Sequence, residues 1–141
     1  NSDEIQMRYH AFLEKYITCR QIEFDSLIQL VNQHVLPSAI EYKNQLVQTM
    51  NYSNQICIGV EVEKEICSKL SELMKEVSSS ALIMQNSLSQ FSNDEESTAK
   101  EIANNLVPLA EKIGDSCNAL EGLVPSKMWS LPTYLDLLFL R

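Results

Sequence analysis

A serine followed three residues later by a lysine, Ser97-Thr98-Ala99-Lys100, matches the S-x-x-K motif of serine acylases. In those enzymes the serine is the nucleophile, and S-D-N and K-T-G elements complete the site. The chain contains neither element, and the match falls in the first turns of a predicted helix. We therefore interpret it as a chance match.

A histidine base beside a hydroxyl can be imagined at His34, which lies four residues before Ser38. A general base of this kind needs a partner, usually a carboxylate, that tunes and orients its imidazole. The sequence places no carboxylate for that purpose, so we interpret His34 as an ordinary helical histidine. The glycosylation sequon Asn51-Tyr52-Ser53 is also interpreted as a chance match, because no export signal accompanies it.

The potential metal ligands are scattered along the chain. The cysteines form no CxxC pair and both histidines are distant from them, whereas zinc sites need clustered ligands. They are Cys19, Cys57, Cys67, Cys117, His10 and His34. Neither histidine has a glutamate three residues before it, as a metal site in a bundle core would need. Glu61, Glu63 and Glu65 alternate by two, so they fan out on a helix. We predict no catalytic, cofactor-binding or metal-binding residue in this chain.

Composition favours a single helical domain of 141 residues. Hydrophobic residues make up 45%, and three glycines and four prolines are too few for the turns of an all-β fold. The net charge of −8 argues against nucleic acid and anionic membrane surfaces as partners. No apolar run approaches the roughly 18 residues of a membrane span. The polar, acidic start has no signal peptide and no Met, so we expect a cytoplasmic fragment of a larger protein with reduced thiols.

The elements that would position any site begin with a long first helix, residues 1–50. The segment Ile5–Met50 alone would run about 70 Å. Its apolar residues recur mostly every three or four positions, which puts them on one face: Leu13, Ile17, Phe24, Leu27, Ile28, Val31, Val35, Ala39, Tyr42, Leu46 and Met50. Pro37 lies inside this pattern and predicts a kink near residues 33–36, with a break into two helices as the alternative.

Two further helices are predicted at residues 55–91 and 94–122. Asn51 to Asn54 forms the first predicted turn, and Ser92 with Glu95 forms a capping box before the third helix. Pro108 should bend that helix. The inward residues of the second are Ile66, Leu70, Leu73, Val77, Ala81, Met84, Leu88 and Phe91, and those of the third are Ile102, Leu106, Leu109, Ile113, Cys117 and Leu120. Short connections predict an all-α antiparallel bundle of three long helices.

Two apolar segments are left over and are predicted as possible interfaces. The second helix is too short to cover the start of the first, so the aromatic strip Tyr9, Phe12 and Tyr16 needs another partner. The tail, residues 123–141, contains a predicted short helix from Pro132 to Phe139. Its candidate contact residues are Trp129, Tyr134, Leu138 and Phe139. The tail is either a lid on its own core or an anchor on another subunit, and both remain open.

The tail also carries a family pattern. Leu120-Glu121-Gly122-Leu123-Val124, Trp129, Leu131-Pro132-Thr133-Tyr134 and Leu137-Leu138-Phe139 resemble the C-terminal end of type III glutamine synthetases. Upstream, Arg8-Tyr9, Leu13-Glu14-Lys15-Tyr16, Ile22-Glu23, Val35-Leu36-Pro37-Ser38-Ala39-Ile40-Glu41-Tyr42 and Val107-Pro108 are similar to the helical segment after that family's catalytic core. The chain departs from the pattern at Pro125-Ser126, at Ser130 and between Ser116 and Asn118.

This resemblance implies a parent enzyme that joins ammonia to glutamate, using ATP and a divalent metal such as Mg²⁺. The nucleotide and metal residues would belong to the catalytic core, so none can be carried over to this chain. The implied partners are that core and neighbouring subunits of a homo-oligomer. The expected role is a non-catalytic C-terminal accessory domain that serves stability or assembly. The alternative is a stand-alone helical-bundle module for protein interaction or scaffolding.

Overall fold

A computed structural model of the chain describes residues 1–131, and these residues form helices and short connections without a β-strand. The first rod of the structure is helical throughout residues 2–55: helix α1 (Ser2–Leu30), a π-helical segment (Val31–Val35) and helix α2 (Leu36–Gln55). The second rod is helix α3 (Glu61–Ser89). The third rod, residues 95–123, comprises α4 (Glu95–Glu101), a second π-helical segment (Ile102–Leu106) and α5 (Val107–Leu123). The predicted all-α class is confirmed for these residues.

Both π-helical segments end two residues before a proline, at Pro37 and at Pro108. Proline lacks an amide hydrogen and its ring clashes with the carbonyl four residues earlier, which disrupts the α-helical ladder. In each rod the residue before the proline instead donates to a carbonyl five residues back: Leu36 to Val31, and Val107 to Ile102. The wider turn keeps the chain helical past both prolines. The angle of the bend predicted at each site stays a prediction.

The first turn lies five residues later than predicted, because residues 51–54 continue helix α2. Asn and Ser are tolerated inside a helix, and no glycine or proline stops it there. The helix ends where the amide of Ile58 donates to the Ser53 carbonyl and the amide of Cys57 donates to the Asn54 carbonyl. This is a Schellman ending, and Cys57 takes the left-handed position at a φ of +60° that glycine usually occupies. The second helix therefore begins at Glu61, not at residue 55.

The predicted capping box at Ser92 and Glu95 is wrong. Asp94 is the N-cap residue of α4, and its carboxylate accepts a 2.7 Å hydrogen bond from the Ser97 hydroxyl. This bond holds the pKa of Asp94 below its usual value. The Ser92 carbonyl accepts from the buried Thr98 hydroxyl at 3.2 Å. Ser92 thus closes the turn through its backbone, because the helix starts two residues later than the motif implied.

The core lies where α2 and α5 pack against α3, and α4 packs beside α1. The predicted apolar faces are confirmed at the centre of each rod: the fully buried residues include Phe24, Val31, Val35, Leu70, Val77, Met84, Ile102, Leu106, Ile113 and Leu120. Other predicted positions, such as Ile66, Leu73, Leu109 and Cys117, are half-buried against this core. None of the described helices is long and apolar enough to cross a membrane.

Candidate interaction surface

The serine and the lysine of the S-x-x-K match both contact acidic side chains at the start of helix α4. The Ser97 hydroxyl donates to Asp94, and the Lys100 ammonium lies 3.6 Å from the Glu96 carboxylate, one turn earlier. Both contacts stabilise the start of α4. Ser97 and Lys100 therefore act as local helix contacts in this structure.

The cysteines do not converge either. Cys19 and Cys57 are exposed, Cys67 and Cys117 are half-buried, and all four thiols are free. Burial raises the pKa of the Cys117 thiol to about 11. Within residues 1–131, no group of three or more His, Cys, Asp and Glu side chains could hold a metal ion.

His34 and Ser38 do take part in a cluster, but their partner comes from the tail. The Ser130 amide donates to the Ser38 hydroxyl at 3.3 Å, and that hydroxyl donates to the Ser130 hydroxyl at 3.3 Å. The Nδ1 atom of His34 lies 3.2 Å from the Ser130 hydroxyl oxygen. In the described part of the chain no carboxylate is hydrogen-bonded to His34, so the imidazole lacks the partner of a general base. The cluster ties the tail to the first rod.

Next to this cluster, Trp129 is 7% exposed and belongs to the hydrophobic core, and Met128 and Leu131 are half-buried against that core. Trp129 therefore packs on its own bundle, as the lid alternative expects, and its role as a contact residue for another subunit stays a prediction. One residue further on, the amide of Ser130 donates its hydrogen bond to Ser38 on the first rod. Tyr134, Leu138, Phe139 and the predicted helix Pro132–Phe139 lie outside the described residues.

The aromatic strip on α1 is, in contrast, open to solvent on one side. Phe12 is 65% exposed and Tyr9 is 48% exposed, while Tyr16 is half-buried. Residues 1–12 are all exposed, and Leu13 is the first buried position of the chain. The strip extends one turn further at Ile5, which is also exposed. The first twelve residues of the chain therefore bury no side chain in the core.

Sequence reasoning missed that the third rod starts beside this strip. His10 Nδ1 lies 3.2 Å from a Glu95 carboxylate oxygen, which brings α4 alongside α1. Between the two helices is an open groove of about 280 Å³. Its lining includes Tyr9, Phe12, Tyr16, Ala99, Lys100 and Ala103. The alanines carry the only sequence signal for it, since small residues let a groove form beside a helix.

Known proteins resemble this chain as follows. Residues 1–55 match the glutamine synthetase C-terminal domain family. Over the whole chain, 28% of aligned residues are identical to a glutamine synthetase of Bacteroides fragilis strain YCH46. Over 98% of the chain, 27% are identical to the type-3 glutamine synthetase of Dictyostelium discoideum. The chain spans 20% of the length of each relative. These matches confirm the resemblance that the helix and tail motifs indicated.

Proposed function

Because the chain is similar along its whole length to type III glutamine synthetases, of which it spans a fifth, we propose that it is the C-terminal accessory domain of such an enzyme. The parent enzyme would join ammonia to glutamate: ATP phosphorylates the side-chain carboxylate, and ammonia then displaces phosphate. ATP and a divalent metal, Mg²⁺, would be bound by the catalytic core, and the whole enzyme would be cytoplasmic. The single observation that carries this proposal is the match over the full chain.

The role we propose for the domain itself is structural. What supports it is the distribution of side chains: the polar groups that could do chemistry are used in helix contacts and in the tail anchor. The exposed aromatic residues Tyr9 and Phe12 lie at the end of the chain that would lead to the catalytic core. We propose that this end contacts that core or a neighbouring subunit of a homo-oligomer.

The first test is the sequence encoded before Asn1. A metal-binding synthetase core is expected there, and its absence would remove the proposal. The stand-alone interaction or scaffolding module is then the second candidate. The observation that favours it is the open apolar groove beside Tyr9, Phe12 and Ala103, which is a surface suited to protein contacts without any enzyme.

The second test concerns assembly of the parent enzyme. Tyr9 and Phe12 would both be changed to Ser, and Leu82, which is 57% exposed on α3, would be changed to Ser as a control. We expect the double variant to release smaller species in sedimentation velocity, while the control keeps the wild-type mass. Circular dichroism would check that both variants stay folded. An unchanged mass and an unchanged subunit dissociation temperature in the double variant would contradict an assembly role for this end.

A further inference from the structure

We infer that the groove between the first and third rods binds an amphipathic helix that carries basic residues beside its apolar face. The groove is formed by this chain alone. The inference rests on the proposed function in one respect: the helix would come from another part of the synthetase assembly. The helix is identified by its chemistry: an apolar stripe of residues spaced by three and four, flanked by lysines or arginines.

The groove has two sections that follow each other along the same pair of rods. The first, of about 280 Å³, lies between Tyr9–Tyr16 and the residues from Glu96 to Asn104. The second, of about 470 Å³, lies between Arg20–Leu27 and the residues from Val107 to Glu111. Arg20 lines the second section, and its guanidinium lies 5.5 Å from the ring centre of Tyr16, which lines the first. From Tyr9 to Leu27 the groove runs about 27 Å, the length of an 18-residue helix.

The two walls differ in a way that suits a helix. On α1 the lining residues lie on one face of the helix, with Arg20 and Glu23 among them, and the apolar ones are large: Tyr9, Phe12, Leu13, Tyr16, Phe24 and Leu27. On the third rod the apolar lining residues are small and recur every three or four positions: Ala99, Ala103, Val107 and Ala110. Glu96, Lys100, Asn104 and Glu111 line the same wall. Large residues on one wall and alanines on the other leave a trough between two helices. An amphipathic helix fills such a trough by placing its own apolar stripe against both walls.

The charges around the groove favour a basic partner. Both cations that line it are already paired with acids of their own helix: Arg20 with Glu23 at 2.9 Å, and Lys100 with Glu96 at 3.6 Å. Glu111 lines the second section as well, without an ion pair among the described residues. Further acids surround the open end of the first section: Glu14, Asp94, which accepts a hydrogen bond from Ser97, and Glu95, which lies 3.2 Å from His10. Lysines or arginines on a docked helix would meet these carboxylates at the rim.

The same charges argue against a second copy as the occupant. The chain has a net charge of −8, so two copies facing each other through an acidic rim would repel. A partner helix with net positive charge is attracted by the same negative charges, and its association is faster at low ionic strength. The remaining candidate within the chain is its own tail, and the experiment below is designed to detect it.

The experiment uses the 141-residue chain and two labelled 18-residue model peptides. Both peptides carry leucines spaced by three and four; one has lysines flanking the leucine stripe and the other has glutamates at the same positions. We expect the lysine peptide to bind with micromolar affinity by fluorescence anisotropy, and the glutamate peptide to bind at least about tenfold more weakly, a difference of about 1.4 kcal/mol. Raising the salt concentration should weaken the lysine peptide only.

Matched variants would test whether the peptide binds in the groove. Phe12→Ser and Leu82→Ser remove exposed side chains without changing charge, and only Phe12 lines the groove. We expect Phe12→Ser to weaken the lysine peptide by about tenfold or more and Leu82→Ser to leave its affinity within about twofold. Ala103→Trp, which fills the trough from the other wall, should also abolish binding.

Four results would overturn the inference: equal binding of both peptides; equal effects of Phe12→Ser and Leu82→Ser; self-association of the chain that Phe12→Ser abolishes; or a rise in peptide affinity in Leu138→Ser, which would make the tail the occupant. None of these results bears on the sequence encoded before Asn1, so failure here is distinguishable from failure of the proposed function.

Discussion

The backbone amide of Ser130 donates a hydrogen bond to the hydroxyl of Ser38 across a distance of 3.3 Å, although the two residues are 92 positions apart. Ser38 is 4% exposed, so this hydroxyl has few alternative partners. His34, one turn earlier, contacts the Ser130 side chain. Together these bonds determine where the tail meets the first rod, and they place Trp129 in the core.

Removal of the Ser38 hydroxyl should weaken this anchor. We expect Ser38→Ala to lower the free energy of unfolding by about 1 kcal/mol relative to Ser79→Ala, because the Ser130 amide loses its acceptor. Ser79 is exposed on α3, and serine-to-alanine raises helix propensity equally at both positions, so the difference reports the two hydrogen bonds that the Ser38 hydroxyl makes with Ser130. Urea denaturation followed by circular dichroism would measure it. Equal stabilities would show that the anchor contributes nothing.

Truncation of Trp129 should act on stability. Trp129→Ala leaves a cavity in the core, and we expect a loss of about 3–5 kcal/mol in the free energy of unfolding. Tyr52→Ala, at an aromatic that is 62% exposed, should change it by less than about 0.5 kcal/mol. Trp129 is also the only tryptophan of the sequence, so its native emission should be blue-shifted relative to the unfolded chain. An emission maximum that does not change on unfolding would contradict its burial.

The left-handed backbone of Cys57 offers a stabilising substitution. A residue with a side chain costs about 1 kcal/mol more than glycine at a φ of +60°, so we expect Cys57→Gly to raise the free energy of unfolding by about 0.5–1 kcal/mol. The same substitution at Cys19, inside α1, should lower it by about 0.5–1 kcal/mol. Thermal denaturation of the two variants would give opposite shifts. Shifts of the same sign would rule out the Schellman ending at Cys57.

Cysteine reactivity should divide the four thiols by burial. Burial raises the pKa of Cys117 to about 11, so at pH 8 only about one molecule in a thousand carries its thiolate. Cys19 and Cys57 are exposed and should react with iodoacetamide first. Burial favours the protonated thiol of Cys117 in the folded state. The free energy of unfolding should therefore fall as pH rises from about 9 through 11, where the unfolded chain loses this proton before the folded chain does. Mass spectrometry of peptides after timed alkylation would measure the order, and early labelling of Cys117 in the folded chain would contradict it.

Local sequence patterns predicted the helices because each apolar stripe repeats many times along its rod. Phe24, Leu70 and Leu120 are buried where the spacing of three and four placed them. Turns were less predictable, since a turn depends on a few residues whose preferences are weak. Asn51 to Asn54 are common in turns and equally tolerated within α2, so the helix continued to Gln55. Pro37 and Pro108 indicated where the α-helical hydrogen bonds are interrupted. The π-helical segments before them depend on hydrogen-bond geometry, which the residue types do not show.

By itself the sequence determined the helical class, the buried face of each rod and the resemblance to a synthetase family, because these depend on patterns of residue type along the chain. Only the tertiary structure decided which apolar surfaces are covered. It placed Trp129 in the core next to Ser130, whose amide donates a hydrogen bond to Ser38, 92 positions away, and it left Phe12 exposed beside a groove formed with Ala103. Such contacts join residues that are distant in the chain. Their formation depends on how the rods pack, which no local spacing encodes.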